Sequence, residues 1–264
     1  MQVHELRSFG ALPGNGNTAL VIEHGPVAQA ERQAFATSQN KGACVFLGPG
    51  AAGQAIDAEV NADFYYPHAR SPLCLHATLA AAHILCARGP ATLKTAMRGQ
   101  LLRLSLSPDG AFAAMQRQAV APLGIEPGLA ERLLGEPGLA LASAPLLSSV
   151  GSAKLLIEVP DSAALHALRP PLERIAQWSR ETGVSGCYVY CRTGHHAYEG
   201  RNFNHLDPAM EDSATGVAAG ALAAWLQHDL VMLQGAALGN ACRIVARVEG
   251  ATILVGGSTE LVAT

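Results

Sequence analysis

A cysteine and a histidine two residues apart, Cys74 and His76, open an alanine-rich run from Ser71 to Gly89 that carries no breaker before Gly89-Pro90. Pro72 fits a helix start, and Ala77, Ala80, Ala81 and Ala82 let other backbone approach closely, so the sequence predicts a buried helix over 72–88. In the first turn of such a helix, unpaired N–H groups and the positive end of the dipole face outward. They lower the pKa of a thiol and bind a carboxylate. The chemistry on offer is therefore proton transfer by a thiolate, or capture of a small anion.

A second run, Ser213 to Leu226, superposes on the first with a shift of 215 − 74 = 141 residues. The shift sets Thr215 against Cys74, Val217 against His76, Ala218 against Ala77 and Leu226 against Leu85. Each copy lies late in its half of the chain and follows β-like sequence, the pattern of an internal duplication. The predicted organisation is an N-terminal half, 1–121, around a helix at 72–88, and a C-terminal half, 122–264, around a helix at 213–228. Whether the C-terminal strand returns to the first half stays open.

The elements that must position these helices are mostly strands. Gln2–Phe9 and Ala19–Glu23 flank the turn cluster Gly14-Asn15-Gly16-Asn17, and Val27–Ser38 reads as a helix before the buried strand Ala43–Leu47. Gln54–Tyr66 reads as one or two strands, and Thr92–Leu106 and Ala111–Gln118 as strands joined at Ser107-Pro108-Asp109-Gly110. The Pro-, Gly- and Leu-rich segment 122–148 marks the boundary between halves. Beyond it come a strand at Lys154–Val159, a helix at Pro171–Thr182, strands at Gly186–Cys191 and His196–Phe203, and a closing hairpin around Glu249-Gly250. Each half is a curved sheet wrapped round one buried helix, an α+β arrangement rather than a doubly wound parallel sheet.

Composition narrows the function. Of the 264 residues 49% are hydrophobic and 15% charged, enough for full cores, and a net charge of −3 with no basic run argues against a nucleic-acid partner. The six cysteines lack the spacing of a disulfide framework, and Cys187 and Cys191 have no second pair at zinc spacing, so no metal is expected. His195-His196 reads as a loop pair rather than a ligand pair. The N-terminus lacks a signal-peptide pattern and no uncharged run of about 18 apolar residues exists, which makes a soluble cytoplasmic protein without a membrane partner the expectation.

The run SPLCLHATLAAAHIL resembles the P-L-C-G-H-A-T-L-A-A-A-H-x-L signature of the phenazine-biosynthesis isomerase (PhzF-like) family. Glu211 to Gly220 resembles that family's E-D-P-A-T-G-S-A-A-G, Gly16-Asn17-Thr18-Ala19 its early G-N-P-A, and Arg201-Asn202-Phe203 its R-x-F. Gln234-Gly235 and Val255-Gly256-Gly257-Ser258 match further motifs in order. The resemblance implies a diaminopimelate epimerase-like fold with two similar halves, a substrate cleft between them, cofactor-free proton transfer in secondary metabolism, and a homodimer. It maps the family's assisting histidine to His76 and its aspartate to Asp212, and it implies substrate contacts at Asn17, Arg70, Leu75, Ala77, Thr215, Gly216 and Val217.

The family's catalytic glutamate, in S-E-T-A-F-V, aligns with Lys41, and a second glutamate, in F-T-P-x-x-E-x-P, aligns with Arg70. Leu75 replaces the glycine before the histidine, and Ser213 replaces a proline. Lys41 then serves as base or as anion clamp, or Cys74 takes the base's place, or family chemistry is lost. With Thr215 opposite Cys74, a symmetric two-cysteine racemase is not expected. Arg70 either pairs with Asp63 or binds an acidic substrate. The leading expectation is a cofactor-independent isomerase or epimerase acting on a small, amino-acid-like or cyclic carboxylate. The others are a non-catalytic anion-binding homologue and a lyase or dehydratase using Cys74.

Overall fold

The computed structural model describes residues 1–49, 58–203 and 211–262. They form two compact units, Met1–Ala114 with Gly256–Thr264, and Met115–Val255.

In the first unit β1 (Gln2–Ser8) and β2 (Asn17–Glu23) pair antiparallel from Gln2↔Glu23 to Ser8↔Asn17. After α1 (Gln29–Gln39), β3 (Ala43–Pro49) lies parallel to β2. β4 (Ala58–Tyr65) runs antiparallel to β3, and the two-residue β5 (Arg70–Ser71) folds back on it. The helix α2 (Leu75–Cys86) follows, and β6 (Ala91–Thr95) returns parallel to β4. β7 (Leu101–Ser107) and β8 (Gly110–Gln116) complete an antiparallel meander. Residues Leu75 to Ala82 of α2 are all buried, with β1, β2, β3, β6 and β7 packed round the helix. A helix apolar on every side is stable only when enclosed in this way. On the opposite side of the sheet, Leu20, Ile22, Cys44, Phe46 and Tyr65 meet Phe35 and Ala36 of α1.

The second unit opens with α3 (Leu129–Leu134), β9 (Leu146–Ser148), β10 (Lys154–Glu158), α4 (Ser162–Ala167) and α5 (Leu172–Thr182). It continues through β11 (Cys187–Arg192), β12 (Ala197–Phe203), β13 (Glu211–Asp212), α6 (Gly216–Leu226), β14 (Leu230–Gln234), β15 (Cys242–Glu249) and β16 (Thr252–Gly257). Its pairings repeat the first unit's in order. β9–β10 is antiparallel, β10–β11 parallel, β11–β12 and β12–β13 antiparallel, β12–β14 parallel and β14–β15 antiparallel. The offsets agree: 211 − 70, 216 − 75 and 242 − 101 are each 141. The duplication is thus one of topology as well as of helix sequence. β17 (Thr259–Leu261) pairs antiparallel with β1, Leu6 opposite Leu261, so the chain's last strand belongs to the first unit.

Several elements differ from the sequence reading. The first central helix starts at Leu75, because β5 holds Arg70 and Ser71 extended and Cys74 is the N-cap, so Pro72 precedes the helix. The predicted strand Thr92–Leu106 breaks in two around a turn whose Gly99 has φ 63°, closed by the Gly99 N–H donating to the Thr95 carbonyl at 2.8 Å. The segment 122–148 carries α3 and β9 of the second unit. Residues 54–57 of the predicted Gln54–Tyr66 strands lie outside the described residues. Among the described residues no helix is long and apolar enough to cross a membrane.

Close approach limits the core of α6. A Cβ added at Gly220 would stand 2.7 Å from a Val255 methyl and 3.0 Å from one of Val150. Gly220→Leu is expected to destabilise the protein by about 1–3 kcal/mol, read as a lowered midpoint in urea unfolding at unchanged slope.

Candidate active site

The start of α2 gathers the first cluster. Cys74 is the N-cap in extended conformation, and its carbonyl accepts both the N–H and the hydroxyl of Thr78 at 2.9 Å. The Ser8 hydroxyl donates to the His76 carbonyl at 2.8 Å and ties this turn to β1, with Asn17 opposite Ser8 on β2. Tyr66 comes from the turn between β4 and β5. Its N–H donates to the Ala69 carbonyl at 2.7 Å, and its own carbonyl accepts from the Gln33 amide of α1 at 2.9 Å.

These supports bring three reactive side chains together. The Tyr66 hydroxyl donates to Cys74 Sγ at 3.4 Å, and the sulfur lies 3.4 Å from His76 Nδ1 and 3.5 Å from Nε2. Near-equal distances to both ring nitrogens describe a charge pairing rather than one directed hydrogen bond. Burial alone would push the fully enclosed Cys74 thiol up. The His76 charge, hydrogen bonds from His76 and Tyr66, and the Ala77 N–H outweigh burial and hold the thiol below its ordinary value. Cys44, across from it on β3, goes the other way, pushed up to about 12 by burial and by the Cys74 charge.

Other residues singled out in this half have their own partners. Arg70 Nε donates to Asp63 Oδ1 at 2.7 Å, and Asp63 Oδ2 accepts from Arg32 at 2.9 Å and from the Tyr65 hydroxyl at 3.0 Å. Lys41 is half exposed and forms an ion pair with Glu5. Leu75 and Ala77 are buried in the first turn of α2.

The start of α6 is built differently. Thr215 is the N-cap, and its hydroxyl donates to Asp212 Oδ2 at 2.5 Å, while Asp212 Oδ1 accepts the Ala214 N–H at 3.3 Å. Asp212 thus braces the capping residue from β13. Gln234 locks the pair. Its amide donates to the Asp212 carbonyl at 2.7 Å and to Thr215 Oγ1 at 3.1 Å, and its oxygen accepts from the Thr215 N–H at 3.3 Å and from Tyr188 at 3.0 Å. Beside Asp212 on β13, Glu211 accepts from Nε and Nη2 along one guanidinium edge of Arg201, at 2.8 and 2.7 Å, and Arg201 Nη1 also donates to the carbonyls of Leu165 and Leu168. Gly216 is buried and Val217 half-buried in the first turn.

Sequence reasoning missed several members of these clusters. Lys154 at the start of β10 is buried, its ammonium donates to the Ser185 carbonyl, and burial lowers its pKa to about 8 against the opposing charges of Asp212 and Cys187. Asn202, opposite Asp212 and Tyr188 in the sheet register, is fully buried, and neither its amide nitrogen nor its oxygen has a partner. Such an orphan costs about 1–3 kcal/mol. Strand alternation places Lys154 with Leu156, on the face opposite Leu155 and Ile157, and both faces are buried. Nothing in the sequence marked Tyr66. Among the described residues no group of three or more His, Cys, Asp or Glu side chains is arranged to hold a metal.

Lys154 sets a pH dependence with a definite sign. Its pKa falls from 10.5 to about 8 on folding, so between those values the unfolded chain binds more protons and stability rises with pH. The fall corresponds to about 3 kcal/mol. Lys154→Met is expected to stabilise the protein at pH 7 by about 1–3 kcal/mol, with the gain fading as pH rises from about 8 to 10.5, as urea titrations at several pH values would show.

Comparison with known proteins covers nearly the whole chain. The model of the phenazine biosynthesis-like proteins (PhzC-PhzF) matches residues 6–262. A Deinococcus radiodurans protein described as an uncharacterized isomerase is 31% identical, over 93% of this chain and 86% of its own. The Bacillus anthracis phenazine biosynthesis protein of the PhzF family superposes with a TM-score of 0.78 at 17% identity, covering 100% of this chain and 98% of that one. A hydroxyproline epimerase from Agrobacterium vitis superposes with a TM-score of 0.59 at 12% identity, covering 100% and 91%. The α+β, diaminopimelate epimerase-like fold follows from these superpositions.

Proposed function

The chain belongs to the phenazine biosynthesis-like protein family, and from that membership we propose that it is a cofactor-independent isomerase or epimerase moving a proton on a small amino-acid-like or cyclic carboxylate. The description of its relative as an isomerase supports the reaction class. The observation that carries the mechanism is the Cys74 thiol at the positive end of α2, within 3.4 Å of both His76 and Tyr66.

In this reading Cys74, as thiolate, takes the proton next to the substrate carboxylate. His76 balances the charge as the proton moves, and the dipole of α2, with the first-turn amides around Leu75 and Ala77, steadies the enolate-like anion. Lys41 is exposed and committed to Glu5, so the thiol rather than the amine takes the place of the family's glutamate. In the second unit Asp212, Thr215, Gly216 and Val217 make an anion-holding helix start of the same kind. At the position that corresponds to Cys74 in the duplication, the second unit carries the hydroxyl of Thr215 and no second thiol. The proton is then returned to the face it left, which favours a shift along the substrate over racemisation by two opposed thiols.

Solvent-deuterium incorporation tests the reading. Amino acids, hydroxyprolines and the dihydro-hydroxyanthranilate would be incubated in D2O with the protein and weighed by mass spectrometry. One compound is expected to gain mass, Cys74→Ser to slow the gain by about 10²–10⁴-fold, and Lys41→Ala to leave it within a few-fold. The reverse order of the two variants would make the lysine the base. No gain in any compound, with the protein folded, would leave an anion-binding role in place of catalysis, and loss of a leaving group would identify a lyase.

A further inference from the structure

We propose that Tyr66 is a positioning residue for Cys74, its hydroxyl donating to the sulfur so that the Cys74–His76 pair rests as thiolate and imidazolium. The inference rests on the proton-transfer reading of Cys74, but it concerns the charge state of the thiol and is testable without substrate.

The argument starts from what a buried thiolate lacks. Cys74 is 2% exposed, so water cannot solvate its charge, and burial by itself favours the neutral thiol. His76 supplies opposite charge, yet the sulfur sits almost equally far from both ring nitrogens, so the imidazole neutralises without fixing the sulfur along one donor axis. A directed O–H from another side supplies that axis, and the Tyr66 hydroxyl donates to the sulfur at 3.4 Å. Hydrogen bonds to a charged partner are roughly twice as strong as neutral ones, so this donor acts on the thiolate more than on the thiol.

Tyr66 is also held before any substrate arrives. Its ring stacks on His68, with centroids 5.7 Å apart at 15°, and meets the His76 ring edge-on at 6.3 Å and 61°. Its backbone is pinned to α1 through Gln33, and the Thr37 hydroxyl donates to the neighbouring Pro67 carbonyl at 2.6 Å. A donor fixed by packing costs no reorganisation when charge develops. Besides His76 at 3.4 Å, the titratable groups of this region are His68, stacked on Tyr66, and Cys44 of β3, a thiol pushed up to about 12 by burial. Arg70 and Asp63 are paired with each other, and Lys41 is paired with Glu5.

The test follows the thiol by NMR in protein carrying [3-13C]cysteine, with the Cys74 signal assigned by its disappearance in Cys74→Ser. Tyr66→Phe is expected to raise the pH midpoint of the Cys74 signal by about one pH unit. In the unmodified protein the Tyr66 13Cζ signal is expected to step at the same pH as Cys74. An unmoved midpoint in Tyr66→Phe overturns the proposal, even if thermal stability falls, since a purely structural tyrosine changes stability and not this titration. Should Tyr66→Phe not fold, the unmodified protein decides: a Tyr66 ring signal without a step at the Cys74 midpoint overturns it equally. If the proton-transfer reading alone fails, no deuterium exchange is seen while the midpoint still responds to Tyr66→Phe.

Discussion

Enclosing a helix on every side leaves only its first turn to deal with unpaired backbone N–H groups, and both units of this protein are arranged round that constraint. In α2 and α6 nearly every side chain of the first two turns is buried, and alanine and glycine recur among them, so side-chain solvation cannot relieve the ends. What stands at each helix start therefore meets the first-turn N–H groups of its unit. The strands and outer helices serve largely to bring those few residues there from distant places in the chain.

The two copies meet the same constraint with different means. At α6 the solution is a closed set of neutral and charged hydrogen bonds, in which Gln234 alone connects Asp212, Thr215 and Tyr188. At α2 it is electrostatic, with a soft, polarisable sulfur set among an imidazole, a phenol and an amide N–H. A saturated network specifies geometry, whereas a charge pair sensitive to protonation can change state. The two helix starts of the duplicated architecture thus differ, one held by a hydrogen-bond network and the other by a charge pairing. The Asn202 amide, without a hydrogen-bond partner among the described residues, lies opposite Asp212 in the sheet register.

Much of this was legible in the sequence because it depends on local pattern. The alanine-rich helices and their shift of 141 show themselves in composition and spacing, and the motif residues Cys74, His76, Asp212 and Thr215 lie in or beside them. What was not legible depends on register. Pro72 suggested a helix start, but the pairing of Arg70 with Tyr65 keeps the chain extended there. The partner of Lys41 is Glu5, brought near by β1 from 36 residues away. Tyr66 looked like one more aromatic at a strand end. Its approach to the sulfur depends on a tight turn pinned by α1, which no periodicity reports. Lys154 became a buried cation because its strand is covered on both faces, a tertiary fact rather than a local one.

The last strand, β17, lies against β1, and its neighbourhood reaches back to the start of the chain. Phe9 N–H donates to the Ser258 carbonyl at 2.8 Å, Val262 N–H to the Glu5 carbonyl at 2.9 Å, and His83 of α2 shares a hydrogen bond with Thr259 at 2.8 Å. The unit that leaves the ribosome first is consequently the one completed last. Met115–Val255 is continuous in sequence, whereas the unit that carries Cys74 stays one strand short until Thr259–Leu261 has been made.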